Sequence, residues 1–402
     1  MEDTMISQKM QGLVDNNSVI RQMFEEGKRM ALEFGEDKVY DFSLGNPNVP
    51  APDKVGQTIE NLLKNEDPVM LHGYMPNAGF TDVRDRIASS LNRRFDTSFT
   101  ADNIMMTVGA AGGLNCALKA LINPGDEVLT FAPYFVEYRN YVANYDGVLK
   151  EVAPDTETFQ PDLEAFKDAV TPKTRALIIN NPNNPSGVIY PEDTITAIAD
   201  ILRKKQEEYG TEIFIISDEP YRELVYTGAE VPYITKYYDN TIVGYSFSKT
   251  LSLPGERIGY LVIPSEASDH DRLFQAVTIA NRVLGFVNAP SLMQKVVAEC
   301  LDEKADIDFY ARNRDTLYDA LREYGFSCIK PEGAFYMFIK SPTPDEKEFV
   351  SRAKEEHILL VPGSSFACPG FVRLAYCVSY ETCVNSLPGF KKVAESFGLI
   401  RK

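Results

Sequence analysis

"TIVGYSFSKTLSLPGERIGYLVI", residues 241–263, sets two strand-sized apolar runs, 241–247 and 257–263, around a polar loop with one lysine, Lys249. The runs upstream repeat this texture: "NIMMTVGA" (103–110), "EVLTF" (127–131), "RALIIN" (175–180) and "EIFIIS" (212–217). Helical patterns separate several of them. In "GGLNCALKALINPGD" (112–126), Leu114, Ala117, Leu118 and Leu121 share one helical face, closed by an Asn-Pro-Gly turn. "PEDTITAIADILRKKQEEYG" (191–210) is a second such stretch. Continuous apolar strands alternating with helices predict an α/β fold, a mostly parallel sheet flanked by helices. Polar residues gather after the carboxyl ends of these runs, where open α/β sheets place ligands.

Beyond about residue 285 the pattern changes. A long helical stretch, roughly 291–324, precedes "AFYMFI", "HILLVPG" and "FVRLAY", which read as a smaller α+β unit. The helix candidate "SVIRQMFEEGKRMALEFG" (18–35) is expected to pack with it. The expected domains are therefore a large one over 46–285 and a discontinuous small one from 1–45 and 286–402. At 402 residues the chain exceeds one ordinary core, which agrees with two domains.

The formal charge of -17 disfavours nucleic acid and anionic membrane as partners, because both require basic surface. Six cysteines show no C-x-x-C pair, and with three histidines no metal site is expected. Scattered cysteines suit a reducing compartment, the N-terminal residues lack a signal-peptide pattern, and no apolar run approaches a membrane span. A cytoplasmic protein is expected.

Lys249 admits four readings: a surface charge, a phosphate-loop lysine, the lysine of a serine acyl-enzyme, or the anchor of a covalent cofactor. A phosphate loop needs G-x-x-x-x-G-K-[ST], but Ser248 precedes the lysine and the wrapping glycine is missing. No strand-linked G-x-G-x-x-G is present either. Ser246-Phe247-Ser248-Lys249 satisfies S-x-x-K, yet Ser217-Asp218-Glu219 and Lys249-Thr250-Leu251 do not supply the S-D-N and K-T-G partners. A surface charge predicts nothing about the other polar loops. A covalent pyridoxal phosphate anchor does: it needs a carboxylate for the ring nitrogen, donors for the ring oxygen, an aromatic face and a cationic, hydroxyl-rich phosphate cradle.

The motifs "SLGNPNVP" (43–50), "GYMPNAG" (73–79), "TVGAAGGL" (107–114), "PYFVEY" (133–138), "NNPNNPSG" (180–187), "SDEPY" (217–221), "SFSK" (246–249) with Arg257, "PEGAFY" (331–336) and "FVRLAY" (371–376) follow one another in a familiar order. In them the chain resembles the fold-type-I pyridoxal-phosphate enzymes of the aspartate aminotransferase superfamily, over nearly its whole length. The resemblance implies that Lys249 is the Schiff-base lysine and that Asp218 pairs with the pyridine nitrogen. It implies Tyr221 and Asn184 as partners of the ring oxygen and Phe135 as the stacked aromatic, usually a tryptophan in relatives. Backbone amides of Ala110 and Ala111, with Ser246, Ser248 and Arg257, would hold the phosphate. Tyr74 matches a tyrosine that reaches the phosphate in the neighbouring subunit, implying a homodimer with shared active sites. Arg373 matches the arginine that grips the substrate's α-carboxylate, with Gly45 and Asn184 assisting.

The expected activity is ping-pong transfer of an amino group from an L-amino acid, such as aspartate or an aromatic one, to a 2-oxo acid, with Lys249 carrying the Cα proton. Two departures leave the substrate open. Ala111 stands where related bacterial enzymes often carry a lysine for a distal carboxylate, and Arg282 is the candidate replacement. Glu256 replaces an apolar residue before the phosphate arginine. A carbon–sulfur β-lyase shares this fold and cofactor set. A non-enzymatic regulator would need a basic helix-turn-helix region, for which the roughly 40 residues before "SLGNPNVP" leave no room.

Overall fold

The computed structural model describes residues 5–15 and 19–400. These divide into two compact units: 47–311 with 331–334, and the described parts of 1–46 with 312–330 and 335–402. Residues 1–4, within the stretch read for a signal peptide, lie outside the described residues, as does Ser18, where the N-terminal helix was expected to begin. That helix is observed over Val19–Phe34.

The larger unit is built on a seven-stranded sheet. Its strands are β1 (Ile104–Thr107), β2 (Glu127–Phe131), β3 (Val148–Val152), β4 (Thr174–Asn180), β5 (Phe214–Asp218), β6 (Thr241–Ser246) and β7 (Gly259–Val262). They lie in the order β1-β7-β6-β5-β4-β2-β3. The pairs β2–β3, β2–β4, β4–β5 and β5–β6 are parallel, and β7 runs antiparallel to both β1 and β6. Every residue of β1, β2, β5, β6 and β7 is buried, which explains why these strands read as continuous apolar runs. The edge strand β3 escapes sequence reading for the opposite reason: only Val152 of its five residues is buried.

The reversed direction of β7 matters for function. Gly259, at its amino end, pairs with Thr107 and Ser246, the carboxyl-terminal residues of β1 and β6. Residues just before β7 therefore reach the same sheet edge as residues just after the parallel strands.

The stretch expected as one helix over 291–324 is two, Ser291–Glu299 and Ile307–Glu323. The first also corrects the expected boundary at 285. Met293, Val296 and Val297 join a buried cluster with Val55, Leu62, Leu71, Ile87, Met106 and Tyr260, so residues 286–311 belong to the larger unit. Burying each such aliphatic side chain contributes about 1.5–3 kcal/mol, and that packing decides the assignment.

In the smaller unit, Val361–Pro362, Phe371–Ala375, Tyr336–Lys340 and Ser327–Cys328 form an antiparallel sheet in that order. Tyr40–Asp41 pairs in parallel with Ile358–Leu359. Among the described residues, no helix is long and apolar enough to cross a membrane.

Candidate active site

Asp218 ends β5, where an apolar strand gives way to a polar loop, and it is 6% exposed. Its Oδ2 accepts a short hydrogen bond from the Tyr138 hydroxyl, while its buried Oδ1 has no hydrogen-bond partner. Burial pushes the carboxyl up to about 7; the Tyr138 hydroxyl opposes that shift and the Glu219 charge adds to it. A buried acceptor left open is costly unless a donor arrives, so Asp218 is built to receive one.

Asn180 stands beside Asp218 in register, at the end of β4. Its Nδ2 donates to the Asp218 carbonyl at 2.9 Å, and its Oδ1 accepts from the Asn184 amide at 2.6 Å. One side chain thus ties the two strand-end loops together. Within the same loop the Asn183 Oδ1 accepts from the Ser186 amide and hydroxyl, and Asn181 exchanges two bonds with Tyr190. This Asn-Pro-rich turn is rigid because its asparagines satisfy its own backbone. Asn184, within this turn, and Tyr221, three residues after Asp218, are both buried.

The segment carrying Asp218 and Tyr221 is clamped from behind. The Arg222 guanidinium pairs with Glu219 and donates to the carbonyls of Val231 at 2.8 Å and Pro232 at 2.9 Å. Glu219 also accepts from the Ser217 hydroxyl at 2.7 Å, and its amide donates to Gly244 of β6. Both charges are buried and multiply bonded, the condition under which such a pair holds geometry.

Lys249 lies in the one-turn helix Phe247–Thr250, which begins at the carboxyl end of β6. Ser246 caps it, accepting from the Ser248 amide at 3.2 Å and donating to the Ser248 hydroxyl at 2.8 Å. The two serines proposed as phosphate donors are therefore adjacent and already share one hydrogen bond.

The helix Gly109–Leu121 follows β1, and no side chain caps its start. Ala110 and Ala111 fall in its first turn, where backbone N–H groups have no partner within the helix. Gly109 has φ +66°, and a Cβ there would stand 2.6 Å from the Arg257 Nη2. Gly259 is equally restricted: its Cβ would meet the Tyr245 carbonyl at 2.3 Å and Gly109 at 3.2 Å. Two glycines thus let an exposed guanidinium approach an uncapped helix amino end, a concentration of positive potential suited to a phosphate or carboxylate. The Tyr141 hydroxyl feels the charges of both Arg257 and Asp218. It is raised mainly by burial, with the Glu137 and Asp218 charges adding and Arg257 opposing.

Phe135 is half-buried, with its ring edge-on to Tyr138 at 5.7 Å. Tyr74 is 94% exposed. Arg282 is exposed in the last turn of helix His270–Val283, and Glu256 is exposed immediately before Arg257.

Within the smaller unit, Arg373 occupies the middle of strand Phe371–Ala375 and is 2% exposed. Its Nη2 donates to the Ser43 carbonyl at 2.5 Å. Its guanidinium carbon lies 4.6 Å from the Tyr336 ring centroid and 4.7 Å from that of Phe366. Gly45 is necessary beside it, because a Cβ there would stand 1.9 Å from the Tyr336 hydroxyl.

Four residues escaped the sequence reading of roles: Asn180, Tyr138, Arg222 and Tyr336. Asn180 had a local signal, a polar side chain closing an apolar strand. Tyr138 meets Asp218 across 80 residues of sequence, a contact that no spacing rule reports.

Residues 37–387 match the model of the family "Aminotransferase class I and II". An aspartate aminotransferase of Thermotoga maritima is 30% identical over 360 residues, covering 89% of this chain and 91% of that protein. Aromatic-amino-acid aminotransferase 2 of Thermococcus litoralis is 30% identical over 96% of this chain and 97% of its own length. The crystal structure of an amino transferase from Eubacterium rectale superposes with a TM-score of 0.96 at 48% identity, covering 98% of this chain and 99% of that one. None of these relatives favours the lyase alternative. A strand-end carboxylate, a lysine after the next strand and an arginine at a helix amino end thus recur in a chain that belongs to the class I and II aminotransferases, enzymes that transfer amino groups.

Proposed function

We propose that the larger unit holds pyridoxal 5'-phosphate and that the enzyme exchanges an amino group between an L-amino acid and a 2-oxo acid. The observation that carries this reading is Asp218: one oxygen is held by Tyr138, the other is buried without a donor, and the carboxyl is raised to about 7. A protonated ring nitrogen would complete that carboxylate. The cradle of Gly109, Ala110, Ala111 and Arg257 fits a phosphate, with Ser246 and Ser248 as hydroxyl donors. Tyr221 and Asn184 would bond the ring oxygen, and Phe135 would cover the ring. Pyridoxal phosphate, when bound, supplies an aldehyde carbon for amine exchange and a ring that withdraws electrons from the substrate's Cα.

The chain's own residues do the rest. The Lys249 Nζ would hold the cofactor through its aldehyde carbon, and as a free amine it would carry the proton removed from the substrate's Cα. Asp218 would hold positive charge at the ring nitrogen. Arg373 would take the α-carboxylate with its planar fork, with Gly45 assisting. Amino donors of the aspartate or aromatic type are favoured by the names of the relatives. Tyr74, exposed here and close in sequence to exposed Val69 and Met70, would complete the phosphate site of a second copy, making the enzyme a homodimer; the scattered free cysteines suit a cytoplasmic location.

Purified enzyme should be yellow, and borohydride should bleach it and fix the cofactor to Lys249. Lys249→Ala should retain weak cofactor binding and lose turnover by at least about a thousandfold. A colourless protein that takes up no cofactor would end this reading. A donor screen against 2-oxoglutarate and pyruvate ranks substrates. Pyruvate and thiol released from cystathionine without any acceptor would mark a lyase instead.

A further inference from the structure

Phe366, one of two aromatic rings close to the Arg373 guanidinium, sits on a loop whose shape is held from elsewhere. Phe366 is fully buried at the end of the turn Gly363–Phe366, and the chain then passes Ala367 (φ +57°) and Gly370 (φ +86°) before strand Phe371–Ala375. The loop is tight: a Cβ on Gly363 would stand 2.3 Å from the Cys368 carbonyl. The left-handed Ala367 opposes this shape, whereas Gly370 adopts its φ freely, so something must hold the turn at the alanine.

Glu346 does so. It is 4% exposed, its Oε2 accepts from the Gly370 amide at 2.9 Å, and its Oε1 accepts from the Ser364 amide at 3.3 Å. The two amides bracket the Phe366 loop. Burial raises the Glu346 carboxyl, but the Gly370 and Ser364 bonds outweigh it and keep the group below its ordinary value, hence ionised. Glu346 opens the helix Glu346–Glu355, yet the capping is done by its neighbour, since the Asp345 side chain accepts from the Lys347 amide. The Glu346 carboxylate is thereby turned to the loop.

We propose that Glu346 is a positioning residue for substrate binding: by stapling both ends of the 364–370 loop it presses Phe366 onto Arg373 and holds the guanidinium in one plane. This rests on the reading of Arg373 as the α-carboxylate site. With the Tyr336 and Phe366 ring centroids 4.6 and 4.7 Å from its carbon and Nη2 donating to Ser43, the guanidinium is held in one orientation. A fixed plane matters for a bidentate carboxylate and not for a proton transfer at Lys249. The signature is therefore a change in KM with kcat preserved.

Glu346→Gln turns an amide N–H towards one of the two backbone donors and opens the staple. Glu346→Asp keeps the charge but is too short to bridge both. In the holoenzyme each should raise KM for the amino donor, and the dissociation constant of the unreactive dicarboxylate maleate, by about tenfold, with kcat within about twofold. Phe366→Leu should raise both constants similarly, and the double variant Glu346→Gln/Phe366→Leu should be no worse than either single one. Additive losses, or a lowered melting temperature with KM and maleate affinity unchanged, would reduce Glu346 to a structural residue and overturn the proposal. Arg373→Lys distinguishes the underlying reading. If it leaves KM and maleate affinity unchanged, the carboxylate site itself fails; if it weakens both while the Glu346 variants do not, only the staple fails.

Discussion

Two arginines, Arg257 and Arg373, are proposed to bind the anions of cofactor and substrate, and they are built in opposite ways. Arg257 is exposed, adopts a left-handed conformation at φ +51°, and approaches a helix amino end through space left by glycines. Arg373 lies in a regular strand, 2% exposed, with two aromatic ring centroids 4.6 and 4.7 Å from its guanidinium carbon and a carbonyl accepting from Nη2. The first collects positive potential that a bound anion must neutralise. The second has its shape completed by protein before any ligand arrives. A resident cofactor that binds once tolerates the first design, because its own phosphate completes the site. A substrate that comes and goes in each cycle benefits from the second, because the ordering is already done.

The strongest test of this contrast is a pair of substitutions with separate readouts. Arg373→Lys keeps the charge but loses the fork, so kcat/KM should fall by about a thousandfold with cofactor content unchanged. Arg257→Ala should weaken cofactor retention by about a hundredfold in equilibrium dialysis, while the residual holoenzyme keeps its KM. If each variant disturbs both quantities equally, the two sites are not separate devices.

A third test concerns Asp218, whose carboxyl is raised from 3.8 to about 7. A raised carboxyl binds its proton more tightly folded than unfolded, so its contribution to stability is fully present below pH 3.8 and is lost as pH rises through about 7. Cofactor-free enzyme should therefore lose about 2 kcal/mol between pH 5 and 7 relative to Asp218→Asn, as read from denaturant unfolding of both proteins. An identical pH dependence in the two would show that Asp218 is not a desolvated acid awaiting a donor.

The smallest expected effect is at Gly109. Gly109→Ala puts a methyl group 2.6 Å from the guanidinium nitrogen at a positive φ. About 1–2 kcal/mol of backbone strain should appear as lower thermal stability, together with a fewfold weaker cofactor affinity. If stability falls and affinity does not, the glycine serves the turn and not the cradle.

The legible parts of the fold were those written in local pattern. Fully buried strands show as apolar runs, and Gly210 at φ +64° ends the helix Glu192–Tyr209 as its position predicts. Strand β3 was missed because four of its five residues are not fully buried. The break between Glu299 and Ile307 was missed because helical periodicity resumes beyond it. Residues 286–311 were assigned to the wrong part because apolar spacing says that a helix packs, and not against what.

The same division runs through the site. Sequence alone pointed to the buried apolar strands and to the family, and it put forward Lys249 and Asp218 as candidate residues at strand ends. Those signals survive because periodicity, capping and turn chemistry act over a few residues. Tertiary structure alone decided that β7 is antiparallel and delivers Arg257 to the carboxyl edge of the sheet. It also decided that Tyr138 holds one oxygen of Asp218 and that Glu346 braces the loop behind Arg373. Those partners are set by strand order and register over long separations, and no stretch of chain carries that information by itself.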